Sequence, residues 1–196
     1  MPGVPSVLFF RSMDQTPQDG AAAWAEEERS LVALAKNDPR HFEKVYEHYL
    51  PRVFRFLASR TSSRELAEDL TSQTFLKALD HLDSYKPSHP FGAWLFQIAR
   101  NLLIDSYRAG KRTIPLDESM EGTDADIPGQ LHEQLRHEAF AAALPKLSET
   151  DREVLLLRVQ GELSHREIGD VLGKSEAAAK MAYMRAVHAL RDILSP

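Results

Sequence analysis

The sequence contains no cysteine among its 196 residues. Disulfide bonds and thiolate metal sites are therefore excluded, and the composition fits a protein of the reducing cytoplasm. No apolar run approaches the roughly 20 residues that cross a bilayer. The short apolar stretch at 7–10 has no basic segment before it, so we expect neither a membrane helix nor a secretory signal.

A net positive charge is also lacking. The formal net charge is −5, which by itself argues against nucleic-acid binding. The acids are concentrated in 1–31 and in 113–130, and the second of these segments carries five acids and no base. The rest of the chain therefore has a small positive excess. We expect a phosphate-binding face but no strong non-specific binding of free DNA.

Catalytic motifs are missing as well. The sequence has no H-E-x-x-H, G-x-S-x-G, Walker loop or G-x-G-x-x-G. Of its eight histidines, His41 and His48 lie seven apart and His132 and His137 lie five apart, which is not the spacing of a zinc-binding helix. We expect no cofactor, metal or catalytic residue. Stoichiometric zinc would revive the alternative of a metalloenzyme.

Helical periodicity dominates what is present. The predicted helices span 42–57, 63–82, 91–109, 131–144, 149–159, 164–172 and 175–193. Pro51 should kink the first of these or restart it. Ser62 or Ser63 caps the second, Gly110 ends the third, and Ser164 with Glu167 forms a capping box. No segment alternates as a strand would, so the sequence predicts an all-α fold.

Two segments without periodicity divide the chain. Residues 1–27 are rich in Pro, Gly, Gln and Ala, and we interpret them as a disordered tail. Residues 113–130 hold two prolines and two glycines besides their five acids, which is typical of a flexible linker. The sequence thus predicts a first helical module at 28–112 and a second at 131–196.

Residues 163–177 fit a helix-turn-helix. Ile168, Gly169 and Leu172 have the size and spacing with which a short helix packs across its partner. Gly173 provides the tight turn and Ser175 caps the helix that would enter the major groove. A plain helical hairpin in a bundle is the alternative. Few long polar side chains follow, so shape and backbone contacts are expected to contribute much of the DNA specificity.

These motifs resemble a known family, the extracytoplasmic-function (group IV) sigma factors of the sigma-70 family. Residues 163–191 resemble its region 4.2, 69–79 its region 2.2, and 91–108 its regions 2.3 and 2.4. The three motifs follow one another in the order that the family shows, and a linker stands in place of region 3. The resemblance implies a non-catalytic factor that binds RNA polymerase core, recognises the −10 and −35 promoter elements and promotes promoter melting.

The resemblance also implies roles for single residues. Those expected to bind the polymerase β′ clamp helices are Asp69, Ser72, Gln73, Phe75 and Leu76. Those expected at the −10 element are Tyr85, Lys86, Ser88, His89, Arg100, Asn101, Arg108, Lys111 and Arg112. Those expected at the −35 element are Lys174, Ser175, Glu176, Lys180, Met181 and Arg185. Tyr85 and Asn101 match positions that line a pocket for a flipped base. The second module is expected to contact the β flap.

Several points stay open at the level of sequence. The acidic linker either occupies a positively charged polymerase channel or is a solvated tether. Gln73 departs from the family pattern in region 2.2, so a weaker charged contact with the polymerase clamp is expected. Met181 and Ala182 depart from it in region 4, which leaves the −35 preference undetermined. Phosphorylation of the hydroxyls at 71–74 is a hypothesis. An anti-sigma partner is suggested by the family alone. A polymerase-independent DNA-binding regulator explains 131–195 but not the first module.

Overall fold

The computed structural model describes residues 18–61, 63–110 and 139–194, and this part of the chain contains helices and no strand. The helices are α1 (Gln18–Ala35), α2 (Glu43–Ala58), α3 (Arg64–Asp80), α4 (Phe91–Gly110), α5 (Glu149–Val159), α6 (His165–Leu172) and α7 (Glu176–Leu194). Residues 139–143 are also helical. The all-α prediction is confirmed. The linker 113–130, the residues 131–138 of a predicted helix, Lys111 and Arg112 lie outside the described residues.

Helix α1 begins well inside the segment predicted to be a disordered tail. The ring of Trp24 stacks on the imidazole of His48 in α2, with centroids 3.8 Å apart. Glu28, one turn further on, is buried and accepts a hydrogen bond of 2.5 Å from Tyr49 Oη. These contacts anchor the helix to the first module, so the tail prediction is wrong for residues 18–27.

Helix α2 continues through Pro51, although the sequence predicted a kink or a restart there. The apolar face formed by Val45, Tyr49 and Val53 is buried on both sides of the proline. Pro51 lies on the exposed face, where the carbonyl that loses its intrahelical partner can bind water. Packing of the apolar face therefore holds the helix together, and the predicted restart is wrong.

The second module is built from capped helices that match their predicted bounds closely. Ser148 accepts a hydrogen bond from Asp151 N at the start of α5, and Ser164 and Glu167 form both arms of the capping box of α6. Gly173 ends α6 in the left-handed conformation, with φ of 63°. Because only glycine adopts this conformation without steric penalty, the sequence identifies the turn before α7.

The two modules pack against each other, an arrangement that the sequence did not predict. Phe96 of α4 lies against Gly161, where an added Cβ would come within 3.1 Å of the phenyl ring. Ser59 of α2 exchanges hydrogen bonds with the side chain of Gln160 at 2.7 and 2.9 Å. Helix α6 lies across α4. The described residues therefore form one packed body despite the linker between the modules.

Candidate nucleic-acid interface

The turn between α6 and α7 fixes the presentation of α7. Lys174 N donates to Gly169 O at 2.8 Å, and a Cβ on Gly169 would lie 2.7 Å from Lys174 O. Ser175 Oγ accepts from Ala178 N and caps α7. The absence of a side chain at Gly169 thus permits the close approach that sets the angle between the two helices. This is the geometry expected of a helix-turn-helix.

The exposed face of α7 has an apolar centre with basic flanks. Met181 and Met184 are 57% and 47% exposed, and Ala177 precedes them by one turn on the same face. The exposed residues around them are Lys174, Ser175, Glu176, Lys180, Arg185, His188 and Arg191. Arg185 is tied to Asp151 of α5 at 3.3 Å. The predicted −35 residues are thus brought together on one accessible surface.

The loop at 85–90 holds its tyrosine inward. Tyr85 is only 5% exposed and packs against the rings of Phe91 and Trp94. Its Oη donates to His89 O at 2.6 Å, and burial raises the pKa of Tyr85 to about 12. Lys86, Ser88 and His89 are exposed. In this arrangement the Tyr85 ring is not available to stack on a base, contrary to the expectation of an open aromatic surface, because it completes the hydrophobic core.

The predicted −10 residues of α4 fall into two groups. Asn101 and Arg108 are exposed, and Arg108 lies 3.7 Å from Asp105. Arg100 instead points at the second module, where its Nε donates to Glu153 at 2.9 Å. The guanidinium of Arg100 is therefore engaged by a carboxylate in the place where a phosphate was expected.

The contact between the modules is lined by buried charge. The side chain of Glu153 is 10% exposed and lies between Arg100 and Arg60, whose guanidinium is 3.9 Å away. Arg52 of α2 donates to Gly161 O through Nε at 3.0 Å. Sequence reasoning missed Glu153, Arg60 and Arg52, because their partners lie tens of residues away and no local pattern joins them.

Helix α3 departs at three positions from the usual burial of apolar residues and exposure of polar ones. Thr71 and Thr74 are buried, and their hydroxyls donate to the carbonyls of Ala67 and Leu70, each at 2.7 Å. Leu76, by contrast, is 61% exposed. A leucine exposed on a helix that buries hydroxyls indicates a surface that binds another molecule.

The residues predicted to bind the polymerase divide along this helix. Asp69 and Ser72 are exposed beside Leu76, and the amide of Gln73 donates to Asp69 at 2.7 Å. Phe75 is 4% exposed and packs against Phe42 and Tyr46, so it belongs to the core and the prediction for it is wrong. We call this surface, consisting of the exposed Asp69, Ser72, Leu76 and Leu79 and the partly buried Gln73, the α3 face.

Burial also bears on the phosphorylation hypothesis. A kinase needs an accessible hydroxyl, and the hydroxyls of Thr71 and Thr74 are enclosed and bonded to the backbone. Ser72 alone of the three is exposed, with its Oγ donating to Glu68 O at 2.9 Å. The hypothesis is therefore wrong for the two threonines of the packed helix and applies to Ser72 only.

Within residues 18–61, 63–110 and 139–194, no three His, Asp or Glu side chains are grouped as a metal ion would need. In the same residues, no helix has the length and apolarity to cross a membrane. The surfaces that stand out are thus the α7 face, the loop at 85–90 before α4, the exposed Asn101 and Arg108 further along that helix, and the α3 face. The helix-turn-helix and its exposed basic residues are the features of a helical DNA-binding protein.

Comparison with known proteins identifies the family. The family model "Sigma-70 region 2" matches residues 45–113, and "Sigma-70, region 4" matches residues 137–190. The chain is 32% identical over 153 residues to the ECF RNA polymerase sigma factor SigM of Bacillus subtilis, covering 77% of this chain and 93% of SigM.

Solved structures agree. The structure of CnrH in complex with the cytosolic domain of CnrY is 28% identical with a TM-score of 0.66, covering 86% of this chain and 97% of that one. The sigma factor RpoE of Bartonella quintana, solved with the anti-sigma factor NepR, is 25% identical with a TM-score of 0.63, covering 78% and 96%. The chain belongs to the extracytoplasmic-function group of the sigma-70 family. It functions with RNA polymerase in promoter recognition.

Proposed function

We propose that this sigma factor docks on the β′ clamp helices of core polymerase through the α3 face and there directs the polymerase to its promoters. The observation that carries the proposal is the exposure of Leu76 on a helix whose threonines are buried. An apolar side chain ringed by Asp69, Ser72 and Gln73 has the composition of a protein-binding patch with a polar rim. A DNA-binding regulator independent of polymerase would have no use for it.

The −10 element is assigned to the first module. Asn101 and Arg108 are exposed on α4, and Lys86, Ser88 and His89 are exposed in the loop that precedes this helix. For Tyr85 to stack on an unpaired base, its hydroxyl must leave His89 O and its ring must leave Phe91. We therefore infer that promoter melting is coupled to a rearrangement of the loop. Lys111 and Arg112 are assigned to phosphate binding on their charge alone.

The −35 element is assigned to the second module, with α7 in the major groove. Lys180, Arg185 and Lys174 supply positive charge around its N-terminal half, which is the part of a recognition helix that reaches base edges. The β flap is proposed as the polymerase contact of this module. No −35 residue is buried by the first module in the packed arrangement, so this face is accessible before polymerase binds.

Binding both elements requires the modules to separate. The two elements lie about 25 base pairs apart, or roughly 85 Å at 3.4 Å per base pair. A packed body of this length has a radius of gyration of about 16 Å. The packed arrangement therefore cannot reach both elements, and we infer that polymerase holds the modules apart while the Glu153 contacts to Arg60 and Arg100 are broken.

We propose further that the chain acts in the cytoplasm as an initiation factor without catalysis or cofactor of its own. An anti-sigma factor is proposed as a second protein partner, by analogy with RpoE, which was solved with NepR. The acidic segment 113–130, with five acids and no base, suits a basic channel of the polymerase better than it suits DNA.

The test combines purified full-length chain with core polymerase and a pool of genomic promoter fragments. We expect new transcripts that core polymerase alone does not start. Leu76→Ser should weaken binding to core about tenfold, which corresponds to about 1.4 kcal/mol. Leu34→Ser, which alters a leucine of similar exposure on α1, is the matched control and should bind as the parent does. Tight promoter binding without polymerase, together with no new transcripts, would favour the autonomous regulator.

A further inference from the structure

The centre of the α7 face presents methyl and thioether groups where a recognition helix usually presents hydrogen-bonding ones. Ala177, Met181 and Met184 follow at spacings of four and three residues and thus form one apolar stripe, with His188 one turn further along the same line. The two methionines are about half exposed. No residue of the described chain covers this stripe, because Ala179, Ala182, Tyr183 and Ala186 face the core from the opposite side of the helix.

The charge around the stripe indicates what covers it. Lys180 and Arg191 lie along one edge and Arg185 along the other, while Lys174 precedes the helix. A helix inserted in the major groove turns its central stripe toward base edges and its two flanks toward the phosphates of the two strands. An apolar centre between basic edges therefore complements DNA better than it complements an apolar protein groove.

The chemistry of the stripe then selects the base. Methionine and alanine offer no hydrogen bond donor, and the thioether is only a weak acceptor. The C5 methyl group of thymine is the apolar feature of the major groove. Arg185, one of the two long cations suited to guanine, is meanwhile held by Asp151. We propose that Met181 and Met184 are specificity-determining residues that read the −35 element through thymine methyl groups.

This inference rests on the proposed function and is tested after a promoter has been obtained by transcription with core polymerase. The probe is that promoter with every thymine of the −35 element replaced by uracil on both strands, which removes methyl groups and preserves base pairing. We expect polymerase carrying the chain to bind the uracil promoter about fourfold more weakly for each methyl contacted, from about 0.8 kcal/mol per buried methylene-sized group. Uracil in place of thymine between the −35 and −10 elements should leave the binding affinity unchanged.

Variants make the assignment specific to the two methionines. Met181→Ala and Met184→Ala should each weaken binding to the thymine promoter and bring the thymine-to-uracil affinity ratio closer to one, because the lost contacts are shared. Both positions are exposed and alanine favours helix, so the fold is retained. The control variant Leu34→Ala should keep the thymine-to-uracil affinity ratio of the parent protein.

Three results would overturn the inference while leaving the proposed function intact. They are a thymine-to-uracil ratio near one for the parent protein, a full ratio retained in both methionine variants, and a −35 element with no A·T pair. A chain that starts no transcripts with core polymerase would instead remove the proposed function itself.

Discussion

At the scale of single residues, Glu28 shows how burial shapes ionisation. Burial raises the pKa of the Glu28 carboxyl above its usual 4.5, and the hydrogen bond from Tyr49 offsets only part of that rise. Burial also raises the pKa of Tyr49, with the nearby Glu28 carboxylate adding to the rise. Since the folded state holds the Glu28 proton more tightly than the unfolded state does, stability from this group is complete below pH 4.5 and is lost as pH rises.

Glu28→Gln should remove this pH dependence. The amide oxygen still accepts from Tyr49, but it never carries a charge that must be desolvated. We expect the variant to gain stability over the parent protein as pH rises above 4.5, and the gain to level off above the raised pKa of Glu28, measured as the difference in thermal midpoint. A difference that is flat with pH, or that shrinks toward pH 8, would contradict the assignment.

Asn101 offers a residue-scale test of the −10 assignment that does not disturb the core. Its side chain is exposed, and loss of a hydrogen-bonded base contact is worth about 1–1.5 kcal/mol. Asn101→Ala should therefore lower open-complex formation roughly tenfold, read by permanganate reactivity of the melted strand, while binding to core polymerase is unchanged. Asn37→Ala, at an exposed asparagine of the loop after α1, should affect neither measurement. Equal loss of both activities would remove Asn101 from the −10 surface.

At the scale of helices, the α6–α7 turn depends on two glycines for different reasons. Gly169 is needed for space, because its Cβ would lie 2.7 Å from a backbone oxygen that cannot move aside. Gly173 is needed for conformation, with φ of 63° and open space around it. The first requirement comes from contact between helices and the second from the local backbone.

Substitutions should separate these two requirements. Gly169→Ala should lower the free energy of unfolding by about 1–3 kcal/mol through overpacking. Gly173→Ala should lower it by about 1 kcal/mol, and Gly173→Asn should restore most of that loss because asparagine tolerates the left-handed conformation. Urea denaturation measures all three. If Gly173→Asn were no more stable than Gly173→Ala, backbone strain would not be the cause of the lost stability at this position.

At the scale of the whole molecule, buried charge joins the two modules that we propose separate on polymerase. Glu153 is enclosed with Arg60 and Arg100 around it. Such a group is strongly unfavourable when its partners are removed but contributes little net stability when paired. A contact of this type holds one specific arrangement and can still open when polymerase provides better partners. Under the proposed function, it would also keep Arg100 from DNA until the modules part.

Glu153→Gln should loosen the packing of the modules. Because the chain has no native cysteine, fluorescent dyes can be attached at Glu65→Cys on α3 and Asp192→Cys on α7. Without polymerase, energy transfer between the two dyes should be lower in Glu153→Gln than in the parent protein. Glu162→Gln is the matched control, because its carboxylate pairs with Arg55 at 3.3 Å and Arg52 at 3.7 Å across the same contact but is itself half exposed. An exposed pair contributes at most about 1 kcal/mol. Equal transfer in the Glu153 variant and the parent protein would contradict the proposed role of Glu153.

The sequence by itself determined the elements that local rules control. Capping residues such as Ser63 and Ser164 located helix starts because their side chains bond backbone groups three residues away. Gly173 indicated the turn because glycine readily adopts the backbone conformation that this turn requires. Three motifs in order indicated the family and two modules. Each of these signals lies within a few residues of what it predicts.

Only the tertiary structure decided which side of a helix is covered. It buried Thr71, Tyr85 and Phe75 and left Leu76 exposed, since burial depends on neighbours that are distant in the chain. It extended order back to Gln18 through the contact of Trp24 with His48. It also closed Glu153 against Arg60 and Arg100, where electrostatic attraction acts through space and leaves no periodic trace in the sequence.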